Sequence, residues 1–107
     1  MKNLPPISNT FTETIASTQY EFVNSLERHP VTVEIGKPIH DVVCVNSIDW
    51  RCPLRIKYLN KESIRNFMGV DSAQALFCVK YEIIEPLLLS IAKKYSYKLF
   101  FLGEEVS

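Results

Sequence analysis

The sequence predicts an α+β fold in which one antiparallel sheet of about four strands is covered on one face by a long helix. Residues 31–35 and 54–58 alternate apolar and polar side chains with the period of two that is typical of half-buried strands. Residues 71–95 instead place apolar side chains every three or four positions, as an amphipathic helix does. Because the apolar face of such a sheet needs a cover, we expect the long helix to lie against it.

The chain before the first predicted strand combines a flexible lead-in with an amphipathic helix. Residues 1–9 contain two adjacent prolines and are typical of a loose, extended segment. Thr10 and Glu13 match a capping box, and the apolar residues after it have helical spacing, which predicts a helix over residues 10–28. Threonine, serine and asparagine are frequent there and form helices poorly, so a partly ordered arm is the alternative. We expect residues 10–107 to form a single domain.

Three β-rich runs predict consecutive strands. A turn at residues 36–38 separates the first strand from a second apolar run at residues 39–48. The third run, residues 54–59, directs Arg55 and Lys57 to the face opposite its apolar side chains. This alternation indicates an antiparallel sheet with one face in water.

A short helix, the long helix and a last strand complete the predicted fold. Asn60 is suited to cap a helix over residues 61–68, and Asp71 is suited to cap the long helix. Pro86 interrupts the long helix and is expected to kink it, because proline has no N–H and crowds the preceding turn. Residues 97–102 predict the last strand, followed by a frayed acidic end.

Several stretches between residues 42 and 102 together form a pattern of strand, short helix, capped helix and aromatic strand. They are residues 42–45, 54–58, 62–64, 75–77, 91–95 and 97–100. This pattern resembles a small bacterial family catalogued as a domain of unknown function, family 1488. The N-terminal helix, the first strand and Pro86 depart from it. The resemblance implies a small cytoplasmic α+β domain without known catalytic residues, and it supplies no function.

The composition argues against several classes of protein. The 107 residues include 12 basic and 12 acidic side chains, so net charge gives no general reason to expect nucleic acid or an anionic membrane as a partner. The chain begins without the apolar segment of a signal peptide, and residues 71–95 are too charged to span a membrane. Three cysteines without a CxxC pair favour a reducing cytoplasm over a disulfide framework.

The residues that could carry catalysis are poorly placed for it. His40 and Cys44 are four residues apart on a predicted strand, hence about 13 Å apart, whereas a thiolate and an imidazole must approach to roughly 3 Å. Glu82 and Glu85 are expected to face water on the polar side of the helix. The sequence contains no phosphate-binding loop and no metal-binding or catalytic motif. We therefore predict that the protein is not an enzyme and that it binds no metal and no cofactor.

The best local candidate for binding is the basic stretch from Trp50 to Arg65. Trp50 and Arg51 are residue types enriched at the energetic centres of interfaces, and Arg55 and Lys57 would extend them on the wet face of the sheet. A solvated sheet face is the alternative, and for Trp50 a place in the core. The same basic residues could instead contact phosphate groups.

The long helix supplies a second candidate surface. Its apolar arc is wide and Leu89 falls on its otherwise polar side, so we expect residues 86–95 to pack against a partner or a second subunit. The sequence thus predicts a cytoplasmic, non-enzymatic interaction module: an adaptor, inhibitor or regulator that binds a protein partner or forms a homodimer, without a membrane. A nucleic-acid-binding accessory protein that uses residues 50–65 is the alternative.

Overall fold

Just over half of the described residues form β-strands, and the predicted α+β balance is wrong. The computed structural model describes residues 4–76 and 83–107. The elements in chain order are β1 (Thr14–Val23), β2 (Arg28–Gly36), β3 (Ile39–Val43), β4 (Ile48–Tyr58), β5 (Lys61–Gly69), α1 (Ser72–Leu76), α2 (Glu85–Lys94), β6 (Lys98–Phe101) and β7 (Glu104–Val106). Neither helix is long and apolar enough to cross a membrane, and the same holds for all the described residues.

The strands form one antiparallel sheet that curls into a half-barrel. Its order is β5, β4, β2, β1, β6 and β7, and β3 lies beside β4 beyond the end of β2. β4 pairs with β5 along one edge, and with β2 and then β3 along the other. The long strand β4 therefore connects the two halves of the sheet.

One face of the sheet, here called the inner face, carries the hydrophobic core. Every second residue of the central strands is buried there, as the period of two requires. The buried strand residues are Tyr20, Phe22, Val31, Val33, Cys52, Leu54, Ile56 and Leu99. Leu88, Ile91 and Ala92 of α2 pack against them. A helix does cover the sheet, but it has ten residues and begins only at Glu85.

The helix predicted over residues 10–28 is wrong, because most of this stretch is strand β1. Its backbone pairs with β2 on one side and with β6 on the other. Tyr20 and Phe22 are fully buried, whereas Ile15 and Leu26, which fitted the helical spacing, are exposed. Threonine, which is frequent here, is branched at Cβ and fits a pleated sheet better than a helix. The sheet partners thus override a weak helical pattern.

The short helix predicted over residues 61–68 is also wrong, because these residues form β5. They pair with β4 from Tyr58 opposite Lys61 to Trp50 opposite Gly69. Between the two strands Leu59 and Asn60 have φ angles of 46° and 61°. Two consecutive residues with positive φ form the tight turn that is favoured in hairpins, and asparagine tolerates this conformation well. Asn60 therefore belongs to a hairpin turn and does not cap a helix.

The kinked helix predicted over residues 71–95 is replaced by two short helices. Asp71 Oδ1 accepts a hydrogen bond from the Gln74 N–H at 2.7 Å, which is the predicted cap contact, but α1 has five residues. Pro86 lies in the first turn of α2, a position that suits proline. Residues 83 and 84 before this turn are π-helical, and the predicted long helix with a kink at Pro86 is wrong. Residues 77–82, which the prediction made helical, lie outside the described residues.

The C-terminal end is more ordered than the sequence predicts. The last strand is confirmed as β6, and the end that was expected to fray forms β7, which pairs with β6. Leu102 and Gly103, with φ angles of 51° and 83°, connect the two strands. The edge of the sheet next to β6 is therefore a short hairpin.

The junction between β5 and α1 leaves no room for a side chain at Gly69. A Cβ atom added there would lie 2.5 Å from the Ala75 backbone nitrogen and 2.9 Å from the Gln74 carbonyl carbon. We expect Gly69→Ala to lower the free energy of unfolding by about 1–3 kcal/mol in urea denaturation, because backbone atoms cannot move aside as a side chain does. The exposed strand substitution Ser17→Ala should change it by less than about 0.5 kcal/mol. Equal effects of the two substitutions would contradict this tight junction.

Candidate functional site

Arg51, which the sequence placed on a partner-binding surface, is completely buried. Its Nε and Nη2 atoms donate to the two carboxylate oxygens of Asp41 at 2.8 and 3.1 Å. Nη1 donates to the Thr10 carbonyl oxygen at 2.7 Å and to Asn66 Oδ1 at 2.9 Å, and Nη2 also donates to Thr10 Oγ1 at 3.0 Å. A guanidinium has five N–H donors, and these bonds use all of them. Arg51 therefore joins parts of its own chain and has no exposed atom for a partner.

The segment that covers this arginine is residues 8–13, here called the strap. It crosses the outer face of the sheet, which is the face opposite the core. Asn66 of β5 donates from Nδ2 to the Ser8 carbonyl oxygen at 2.9 Å. The Arg55 guanidinium lies 4.2 Å from the centre of the Phe11 ring, within the range of a cation–π contact. The strap thus binds to the sheet through side chains and forms no strand of its own.

Arg55 and Lys57 lie on the outer face as predicted, but acidic side chains compensate their charges. Arg55 donates from Nε and Nη2 to the two carboxylate oxygens of Glu34 at 3.1 and 3.0 Å. Lys57 Nζ lies 3.1 Å from the same carboxylate, and Arg55 is 3.7 Å from Glu62. The hydrogen bonds from Arg55, then those from Lys57 and Thr14, lower the pKa of Glu34 to about 2. These two basic side chains form an ion-pair network on a solvated face.

The remaining basic residues of this stretch do not extend the outer face. The register places Lys61 opposite Tyr58 and Arg65 opposite the buried Leu54, and cross-strand partners point to the same face. Lys61 and Arg65 therefore belong to the inner side of the sheet. The predicted basic stretch is divided between two faces.

Trp50 lies near the start of β4. The sequence left open whether this residue belongs to the core or to the surface, and its half-buried side chain lies partly in each. Its ring stacks on His40 with the ring centres 4.7 Å apart and the planes 3° from parallel. The His40 Nε2 atom contacts the Ile48 carbonyl oxygen, which fixes the imidazole. One side of the indole packs against the core, and the remainder reaches the surface.

Exposed apolar side chains surround Trp50. Val43 and Ile48 are register partners on the β3–β4 hairpin, and Val45, at the turn of this hairpin, is 82% exposed. Val70 follows the register partner of Trp50, and Leu76 of α1 borders the same recess as Trp50. We call this group the Trp50 surface; it consists of Val43, Val45, Ile48, Trp50, Val70 and Leu76. The recess itself is also lined by Lys37, Pro38, Ser72 and Ala73.

Sequence reasoning identified Trp50 but missed the valines and the isoleucine beside it. A single strand over residues 39–48 would bury half of its apolar side chains. The chain instead turns between residues 43 and 48, where the Cys44 N–H donates to the Ser47 carbonyl oxygen at 2.8 Å. The polar pair Asn46 and Ser47 was the available signal for this turn.

Leu89, the predicted contact residue of the long helix, lies in α2. Its side chain is half-buried and packs against the core of its own chain. Leu88, Ile91 and Ala92 of the same helix are buried. Residues 86–95 therefore pack mainly against the inner face of the sheet. Only the exposed part of the Leu89 side chain is available to a partner.

Among the described residues, the cysteines and histidines do not form a reactive pair. The Cys44 thiol donates to the Val42 carbonyl oxygen and to Asp49, and the His40 ring is stacked on the indole. Desolvation raises the pKa of the Cys44 thiol, and burial raises the pKa of Cys52 to about 11. Thiols with raised pKa values are poor nucleophiles at neutral pH. Cys78 lies outside the described residues.

Of the two carboxylates considered for catalysis, Glu82 and Glu85, the second makes a structural contact. Tyr20 Oη donates to Glu85 Oε2 at 2.7 Å, so Glu85 connects α2 to β1. Glu82 lies outside the described residues. Within residues 4–76 and 83–107, no group of three or more histidine, cysteine, aspartate or glutamate side chains is arranged to hold a metal ion.

Comparison with known proteins gives the chain a family. The model of a domain of unknown function, DUF6968, matches residues 17–105. The chain belongs to this family. The predicted resemblance to family 1488 is wrong, because the family model that matches the chain is that of DUF6968. No curated protein and no solved structure matches the chain.

Removal of the buried guanidinium should destabilise the fold strongly. We expect Arg51→Met to lower the free energy of unfolding by at least about 2 kcal/mol in urea denaturation, because Asp41, Thr10 and Asn66 lose their partner. Arg28→Met removes the exposed ion pair with Glu21, and should cost at most about 1 kcal/mol. Equal losses would show that Arg51 does not hold the outer face together.

Acid should weaken the network around Glu34. Its pKa falls from an ordinary value of 4.5 to about 2 in the folded protein, so this stabilisation is complete above pH 4.5 and is lost as the pH falls towards 2. We expect Glu34→Gln to reduce the decline in unfolding free energy between pH 5 and pH 2.5. Glu104→Gln, on the exposed edge strand, should leave the decline unchanged. If the unfolding free energy of the Glu34→Gln protein fell between pH 5 and pH 2.5 as steeply as that of the wild type, this result would contradict the lowered pKa of Glu34.

Proposed function

We propose that the protein is a non-enzymatic protein-binding module, an adaptor, inhibitor or regulator, that uses the Trp50 surface. The observation that carries the proposal is the concentration of exposed apolar side chains around one half-buried tryptophan. Contiguous exposed apolar surface is uncommon on monomeric proteins and often marks a binding site. Tryptophan is among the residues that contribute most to the energy of interfaces.

The position of Trp50 supports this role because the ring is held in place before any partner arrives. The indole stacks on His40, and the next residue in β4, Arg51, is fixed by five hydrogen bonds on the opposite face. A rigid side chain loses little conformational entropy on binding, which favours affinity. Val45 and Ile48 extend the contact area on a hairpin beside it.

The chemistry of the surface favours a protein as the partner. Lys37 is the one cation among the described residues that lines the recess beside Trp50, whereas binding to a phosphate backbone requires clustered cations. The nucleic-acid alternative remains a prediction with less support, since Arg51 is buried and Arg55 and Lys57 pair with Glu34. A second copy of the chain is one possible partner, because a two-fold contact uses the same surface twice. The cytoplasmic location also remains a prediction, which rests on the cysteine pattern.

A charge placed on the Trp50 surface should prevent binding without unfolding the protein. We expect Val45→Lys and Ile48→Lys to abolish self-association in light scattering after size-exclusion chromatography, or to abolish capture of a protein from the native host. Leu26→Lys, at the β1–β2 turn away from this surface and 89% exposed, is the matched control and should bind as the wild type does. Trp50 is the only tryptophan, so its fluorescence reports burial of the surface directly.

Two results would contradict the proposed function. One is a protein that stays monomeric at high concentration and captures nothing that the two lysine substitutions remove. The other is binding that Leu26→Lys weakens as much as Val45→Lys does. If the tryptophan emission maximum did not change when the complex forms, the binding site would not include Trp50.

A further inference from the structure

A groove lies at the opposite end of β4 from Trp50. β2 and β4 pair up to Thr32 opposite Lys57. β4 ends one residue later at Tyr58, whereas β2 extends beyond this point to Arg28. The β4–β5 hairpin forms one wall of the groove, and the start of β2 forms the other. Its volume is about 610 Å³. Tyr58, at this end, is eight residues from Trp50, or about 26 Å along an extended strand, so the groove is separate from the Trp50 surface.

Two half-buried tyrosine rings line the base of the groove. Tyr58 and Tyr97 both pack on the buried ring of Phe22, with ring centres 5.8 Å apart in each pair. The Tyr97 ring is nearly parallel to Phe22, and the Tyr58 ring meets it edge-on. His29 also contacts Tyr97, and Tyr95 contacts Tyr58, with the ring planes 84° and 62° apart. These contacts hold both rings in place, and a flat ring in the groove can pack against the parts that stay exposed.

The β5 wall of the groove carries Lys61, a cation without a carboxylate partner among the described residues. Lys61 Nζ lies 2.6 Å from Tyr95 Oη and 4.5 Å from the centre of that ring, and it has no ion pair with a carboxylate in the described part of the chain. The hydrogen bond to Tyr95 is the main reason that the pKa of Lys61 is raised. An ammonium group has three donors, so two remain for a ligand.

The other charged side chains that line the groove have partners within the protein. Glu62 lies 3.7 Å from Arg55, and Glu27 contacts His29, which is charged only when it is protonated. The Glu27 carboxylate contacts His29 Nε2 and accepts a hydrogen bond from Tyr97 Oη at 3.3 Å, and the contact with His29 is the main reason that its pKa is lowered. Lys57 pairs with Glu34 on the outer face. Lys61 is therefore the cation at this groove that has no carboxylate partner in the described part of the chain.

We propose that this groove binds a small molecule in which a flat ring carries an anionic group. The ring stacks on Tyr58 and Tyr97, and the anion accepts hydrogen bonds from Lys61. The volume lies within the roughly 300–1,000 Å³ of ordinary small-molecule sites. Mononucleotides and aromatic carboxylic acids share this chemistry. The site is independent of the Trp50 surface, so its failure and that of the proposed function are distinguishable.

Titration of the full-length, ¹⁵N-labelled protein by NMR tests the site with two pairs of probes. The first pair is adenosine monophosphate and uncharged adenosine, and the second is 3-phenylpropionate and its amide. We expect at least one anionic probe to shift the amide signals of residues 58–61 and 97 saturably. Its uncharged partner should bind about tenfold more weakly or worse, because a charge-assisted hydrogen bond is lost. The anionic probe that binds identifies the source of the ligand.

Substitutions then locate the ring and the charge. Lys61→Met should weaken binding of the anionic probe about tenfold or more, whereas Lys98→Met, an exposed lysine on β6, should leave it unchanged. Tyr97→Phe keeps the ring and should keep the affinity, and Tyr97→Leu removes the ring and should lower it. Dispersed NMR spectra show that each variant is folded.

Three outcomes would overturn the proposal. The first is that neither anionic probe gives saturable shifts at about 10 mM, which is beyond the range of weak specific binding. The second is equal binding of a charged probe and its uncharged partner. The third is an equal effect of Lys61→Met and Lys98→Met, because general electrostatic attraction would then explain the binding.

Discussion

The buried guanidinium of Arg51 is the interaction on which the outer face depends. An arginine without solvent is costly unless its charge is paired and its donors are satisfied. Here Asp41 supplies the countercharge, and Asn66 and the strap residue Thr10 supply the remaining acceptors. These three partners come from β3, β5 and the N-terminal segment. One side chain therefore requires that three separate parts of the chain be in place together.

The alternation of side chains along β4 places the buried Arg51 directly beside Trp50, which is partly exposed. Arg51 points to the outer face, and its neighbour Trp50 points to the other side, where the β3–β4 hairpin and α1 leave it partly exposed. Neighbouring residues of a strand share one backbone, so the hydrogen bonds that hold Arg51 also hold the backbone at Trp50 in place. The same strand ends at Tyr58, beside the groove that holds Lys61. The two candidate binding regions are thus at the two ends of one rigid strand.

The charge distribution explains why a chain with a basic stretch need not bind nucleic acid. Arg55 and Lys57 share one carboxylate, that of Glu34, although Glu34 is far from them in sequence. Lys61 remains without a carboxylate partner in the described residues because the hairpin turn carries it to the inner side. A run of cations in sequence is therefore not a cationic surface, since strand alternation and cross-strand partners determine which charges remain.

Local patterns predicted the strands at residues 31–35 and 54–58 and the capping contact of Asp71, because alternation and capping involve residues close together in sequence. They did not predict that residues 14–23 and 61–69 are strands, since a strand is stabilised by partners on other strands, and a weak helical spacing gives no information about them. Thr10 and Arg51 are 41 residues apart, so the burial of Arg51 could not be inferred from its neighbours. The sequence by itself determined the apolar alternation, the absence of known catalytic motifs and Trp50 as a candidate contact. The tertiary structure decided which charges are buried and which valines are exposed, because burial depends on contacts between distant parts of the chain.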